Sequence, residues 1–141
     1  MINKLNSLPK LLIVEDDLEN QKFLYYFLKK HFRIEICDSA EMCYDLLFKE
    51  RSEIILMDIS IRGYKNGLDL TKELKNHPLF SKIPIVCYTA HAYNEDRINS
   101  IDAGCDAYIS KPTNYNILLN TLLKLIQESN ENKHLSIFDH N

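Results

Sequence analysis

Six residues with groups suited to cation or phosphate chemistry stand at the ends of short apolar runs. Glu15, Asp16 and Asp17 close Leu11-Leu12-Ile13-Val14, Asp58 closes Ile54-Ile55-Leu56-Met57, Thr89 closes Ile85-Val86-Cys87-Tyr88, and Lys111 follows Ala107-Tyr108-Ile109-Ser110. Each has an innocent reading taken alone: Asp17 and Asp58 as helix caps or turn residues, Thr89 as strand filler, Lys111 as a solvated lysine. Brought to one rim, they are harder to dismiss. Two carboxylates ~4 Å apart repel by roughly 1 kcal/mol in water and roughly 4 at an effective dielectric of 20, so three ionised carboxylates need a counter-charge beyond one lysine. A hard divalent cation with oxygen ligands fits, Mg²⁺ in particular; no His or Cys at this rim is spaced for zinc. Such a cation, a free carboxylate, a lysine and a hydroxyl are the equipment for phosphoryl transfer to aspartate, with Asp58 as the in-line nucleophile.

The rim exists only if the chain folds as repeated βα units, and its pattern says so. From Lys10 onward, apolar runs of strand length alternate with longer segments of helical period, which predicts five units of an α/β fold with a doubly wound parallel sheet. Open sheets of this kind present reactive groups beyond the carboxyl ends of their strands. Arg33-Ile34-Glu35-Ile36-Cys37 alternates polar with apolar and is predicted at the sheet edge. The first helix places Phe23, Leu24, Phe27 and Leu28 on one stripe; Asp38 with Glu41 makes a capping-box-like start to the second; the third runs from about Leu68 to Asn76. The fourth, from Asn94 to Ala103, has only Ile98 and Ile101 as core anchors and is expected to be short and mobile, ended by Gly104. Asn114 caps the last helix, with Leu118, Leu122 and Leu125 as its stripe, and the chain turns polar from Gln127 into an expected frayed tail. Ile137 and Phe138 are candidates to dock on the domain.

Composition narrows the classes. At 141 residues and 45% hydrophobic content the chain suits one globular domain. A formal charge of −3 gives no basic footprint for nucleic acid. No run approaches the ~18 apolar residues of a membrane span, the N-terminal run is too short for a signal peptide, and a cytoplasmic location is expected. Cys37, Cys43, Cys87 and Cys105 form no Cys-x-x-Cys pair and read as reduced core thiols. Gly63, Gly67 and Gly104 fit neither the dinucleotide nor the P-loop fingerprint.

Val14-Glu15-Asp16-Asp17, Met57-Asp58, Tyr88-Thr89-Ala90 and Tyr108-Ile109-Ser110-Lys111-Pro112, in that order, resemble the receiver domain of two-component response regulators, most of all single-domain regulators of the cell-division and chemotaxis type. The resemblance implies a flavodoxin-like receiver fold with strand order 2-1-3-4-5 and five helices, flanked by an N-terminal arm over 1–9 and a polar tail over 128–141, with the receiver itself over 10–127. It implies that Asp58 accepts a phosphoryl group from a sensor histidine kinase or a histidine phosphotransfer protein. Asp16, Asp58, Glu15 and the main-chain carbonyl of Ser60 would hold Mg²⁺; Lys111 would pair with phosphoryl oxygens; Thr89 would bind the phosphate and Tyr108 follow it inward; Ala90 would keep the site open. Lys111-Pro112 would be a cis peptide. Output would be a changed surface over the fourth helix, fifth strand and fifth helix, read by a protein target, in a monomer or weak homodimer. Such a chain is a switch that catalyses only its own phosphorylation and dephosphorylation.

The pattern departs from the family where Arg62 replaces a common Pro, and where Asp58 to Gly67 is one residue longer than usual, near Gly63-Tyr64-Lys65. His91 stands where the family tunes phosphoryl lifetime. A phosphatase with an aspartyl nucleophile wants a second Asp two residues on, where Ser60 stands. The rival readings are a receiver-like interaction module that works without phosphorylation and a receiver excised from a hybrid histidine kinase. The polar terminus with no start of another domain fits a complete single-domain protein.

Overall fold

The computed structural model describes residues 7–61, 63–90, 94–111 and 113–139, of which 134–139 by backbone alone. Five strands, β1 (Lys10–Val14), β2 (Arg33–Cys37), β3 (Ile54–Met57), β4 (Ile85–Thr89) and β5 (Ala107–Ser110), alternate with α1 (Leu18–Leu28), α2 (Ala40–Lys49), α3 (Gly67–Lys75), α4 (Asn94–Asp102) and α5 (Tyr115–Asp139). All pairings are parallel, in the order β2-β1-β3-β4-β5. The three uniformly apolar runs became the three central strands, buried on both faces, while the alternating β2 lies at one edge and is half-buried.

Strand periodicity sorts the core into two layers. Leu12, Val14, Ile55, Met57, Ile85 and Cys87 point to one face and pack with Cys43 and Leu47 of α2 and Leu70 and Leu74 of α3. Leu11, Ile13, Ile54, Leu56, Val86 and Tyr88 point to the other, against Leu24 and Leu28 of α1 and Leu118, Leu122 and Ile126 of α5. The register places Val14 beside Met57 and Met57 beside Cys87, with Thr89 beside Ser110, so the next residues of β1, β3 and β5 emerge together. Three backbone bonds extend the ladder to them: Glu15 N to Cys37 O at 2.9 Å, Asp58 N to Val14 O at 3.0 Å and Lys111 N to Thr89 O at 2.7 Å.

Several local expectations are corrected. Ser39, not Asp38, caps α2, its Oγ accepting from Met42 N at 3.3 Å. The buried stripe of α1 is Leu24 and Leu28 alone; Phe23 and Phe27, about 100° round the helix, are exposed, and Phe27 instead stacks on Tyr115 of α5. On α4, Ile98 and Ile101 are 57% and 52% exposed, and the single buried residue is Ser100, whose hydroxyl donates to Asp96 O at 2.8 Å. The expected frayed tail is helical: α5 runs on to Asp139, because no Gly or Pro interrupts it and Gln127 reaches Glu131 one turn on. The side chains of Ile137 and Phe138 lie outside the described residues.

Candidate functional site

The carboxyl edge of the sheet gathers the expected residues. Glu15 and Asp58 are 1% and 6% exposed, Thr89 is fully buried at the end of β4, Asp16 and Lys111 are half-buried, and Ala90 is open to solvent. Lys111 Nζ bridges the two buried acids, 2.9 Å from Glu15 Oε1 and 3.2 Å from Asp58 Oδ2. Carboxylate oxygens of Glu15, Asp16 and Asp58 all come within 4.8 Å of one another. Asp17 turns away to its helix, capping α1 through Oδ2, which accepts from Asn20 N at 3.0 Å.

Local chemistry sets each group. Asp58 Oδ1 accepts from the Ser60 amide at 2.9 Å and the Ser60 hydroxyl at 2.7 Å, which fixes one oxygen and leaves the other toward Lys111. Burial opposes the Asp58 charge, but hydrogen bonds from Glu15 and from Ser60, with the nearby Lys111 charge, outweigh it and hold its pKa below the usual carboxylate value. Glu15 goes the other way: burial first, then its hydrogen bond with Asp58, raise it to about 7, against the opposing pull of Lys111. Burial lowers the Lys111 pKa, yet the hydrogen bond to Glu15 and the charges of both acids more than compensate, so it is raised and the ammonium stays charged.

Three oxygen donors with a shared counter-charge are a hard-cation set, and Mg²⁺ fits it.

Beside the site, α3 comes so close that only glycine fits at its start. A Cβ on Gly67 would collide with the Asp58 carbonyl and the Ile59 Cα. Asn66 caps α3, its side chain accepting from Asp69 N at 2.9 Å. In the lengthened loop Gly63 has φ +110°, Tyr64 is fully exposed, and Lys65 reaches back to Glu73 of α3. Tyr108 is half-buried on β5, beside Cys87. Arg62, His91 and Pro112 lie outside the described residues.

Two contributors were not foreseen. The Ser60 hydroxyl bonds Asp58 directly, although only its carbonyl had been assigned a part. Tyr88 places its ring under the Lys111 ammonium, 4.9 Å from Nζ to centroid. An aromatic immediately before the strand-end Thr89 was the available signal, but it read as core.

The chain resembles known proteins over most of its length. It is 33% identical over 118 residues to the "Probable transcriptional regulator ycf29" of Pyropia yezoensis, covering 83% of this chain and 53% of that protein. It is 31% identical over 122 residues to the hybrid signal transduction histidine kinase M of Dictyostelium discoideum, covering 82% of this chain and 5% of that protein. The chain thus spans about half of the first relative and a small part of the second. The receiver domain of sensor histidine kinase PA1611 from Pseudomonas aeruginosa, solved with a magnesium ion in its active site cleft, superposes with a TM-score of 0.78 at 26% identity, over 86% of this chain and 99% of that one. A CheY-like receiver domain protein from Methanospirillum hungatei gives 0.79 at 28% identity, over 89% and 99%. The model of the response regulator receiver domain matches residues 11–123, which include every residue gathered at the carboxyl edge, and the chain belongs to that family.

Proposed function

We propose that this receiver is a phosphorylation-dependent signalling switch whose acceptor is Asp58. The observation that carries the reading is the buried Asp58 carboxylate with one oxygen pinned by Ser60 and the other facing Lys111, beside two more carboxylates. The donor is a phosphohistidine of a sensor histidine kinase or a histidine phosphotransfer protein. Asp58 attacks the phosphorus in line, the P–N bond breaks, and the imidazole leaves with its electron pair and takes up a proton. Glu15, Asp16, Asp58 and the Ser60 main-chain carbonyl would hold Mg²⁺, which would supply charge neutralisation for the phosphoryl oxygens. Lys111, in contact with Asp58, supplies the remaining positive charge. Thr89 donates to the bound phosphoryl group, Ala90 leaves room for the donor, and Tyr108 follows Thr89. The altered surface over α4, β5 and α5 is read by a protein target, and the exposed Ile98 and Ile101 suit that role. The switch acts in the cytoplasm as a monomer or weak homodimer; among the described residues no helix is long and apolar enough to cross a membrane.

Incubation with Mg²⁺ and acetyl phosphate, read by intact mass, should add one phosphoryl group to the wild type and none to Asp58→Asn, and chelation of Mg²⁺ should abolish the addition. Equal labelling of the two proteins would sink the reading by placing the acceptor elsewhere, and no labelling of either would favour an interaction module that works unphosphorylated.

A further inference from the structure

The contact between Tyr88 and Lys111 has no part in the chemistry above, and it is built with some care. The Tyr88 ring is 6% exposed and sits in the layer formed with Val86, Ile109 and Tyr115. Tyr115 is itself clamped, its ring stacked on Phe27 with centroids 3.9 Å apart and planes at 11°. The ring under Lys111 thus lies in the close-packed layer on the α1 and α5 side of the sheet, and displacing it would disturb that packing. The side chain of Lys111 is 14% exposed, so its ammonium meets the ring face largely out of water, where a cation–π contact is strongest.

Such a contact matters because the other two anchors of Lys111 are carboxylates. Their hold weakens when a divalent cation claims their charge or when Asp58 is esterified. The quadrupole of the ring does not change in either event. We propose that Tyr88 is a positioning residue that keeps the Lys111 ammonium aimed at the acceptor while its carboxylate partners are engaged elsewhere. The inference rests on the reading of Asp58 as acceptor only for its effect on rate; the contact itself can be measured apart from any reaction.

Two variants of the full chain separate ring from bulk. Tyr88→Phe keeps the ring face and should be labelled by acetyl phosphate within about twofold of the wild-type rate, whereas Tyr88→Leu keeps an apolar but smaller side chain without a ring and should be slower by about 5- to 30-fold. The direct readout is the NMR shift of the Lys111 ε-methylene protons. A ring beneath them moves these signals upfield; the displacement should persist on adding Mg²⁺ and beryllofluoride, survive in Tyr88→Phe and vanish in Tyr88→Leu. The proposal is overturned if Lys111 shows ordinary lysine shifts in the Mg²⁺-loaded wild type, or if Tyr88→Leu is labelled at the wild-type rate. Should Tyr88→Leu not fold, the wild-type and Tyr88→Phe spectra still decide. A wild type that takes no phosphoryl group would defeat the acceptor reading, while the shifts would still settle the contact.

Discussion

Glu15 keeps its proton to about pH 7 because its carboxyl is 1% exposed and shares a hydrogen bond with Asp58. An acid with an ordinary value of 4.5 and a folded value near 7 is protonated in the folded chain alone between those limits. The unfolded chain then binds fewer protons, so stability falls as pH rises from 4.5 through 7. Glu15→Gln retains a donor toward Asp58 without a titratable proton. It should flatten the slope and be the more stable form above pH 7; urea midpoints at pH 5, 6, 7 and 8 would show this, and an unchanged slope would refute it. Asp58, with its lowered value, acts in the opposite sense: its contribution is present above 3.8 and is lost as pH falls through the folded value. Residue types and strand ends were enough to nominate this set. The pairing of Glu15 with Asp58, and the Ser60 hydroxyl, were not legible, because both depend on side-chain directions at a strand terminus that spacing leaves open.

At the scale of elements, sequence periodicity identifies which residues share a face but not what lies opposite. Leu70 and Leu74, one turn apart on α3, are fully buried; Ile98 and Ile101, the expected core anchors of α4, face water. The difference is the sheet beneath. α3 covers the central strands, whereas α4 lies toward the edge strand β5 and turns Ser100 inward. Truncating Ile98 or Ile101 to Ala should therefore change stability by less than about 0.5 kcal/mol, while Leu70→Ala or Leu74→Ala should cost about 2–5. Native-state hydrogen exchange should rank amides of α4 well below those of α3 in protection. A large loss at Ile98 would mean that α4 docks through its apolar face after all. The same reasoning covers α1, where Leu24 and Leu28 meet the sheet and Phe23 and Phe27 are left to the surface. Gly67 can carry no side chain because α3 approaches the Asp58 backbone, a closeness that loop length in the sequence does not reveal.

For the whole molecule, the doubly wound parallel sheet and its alternating edge strand were legible because three runs are apolar on both faces and one alternates, whereas the strand order came from the family resemblance. The end of α5 was not, since a polar sequence without Gly or Pro is compatible with either a helix or a tail. Its energetic standing can be argued from burial. Ile126 is the last buried residue among those described, and the pairs beyond it, Lys124 with Glu128 at 4.0 Å and Gln127 with Glu131 at 3.3 Å, are exposed and worth a few tenths of a kcal/mol each. Lys133 joins Arg51 and Lys82 around a cavity of about 650 Å³, where Asp106 and Glu128 are already engaged by Lys75 and Lys124. Ending the chain after Gln127 should therefore leave the urea midpoint nearly unchanged and the labelling of Asp58 intact, while circular dichroism loses the helix of residues 128–139. A drop in midpoint as large as that of a core Leu→Ala change would instead place the side chains beyond Lys133 in packed contact with the domain.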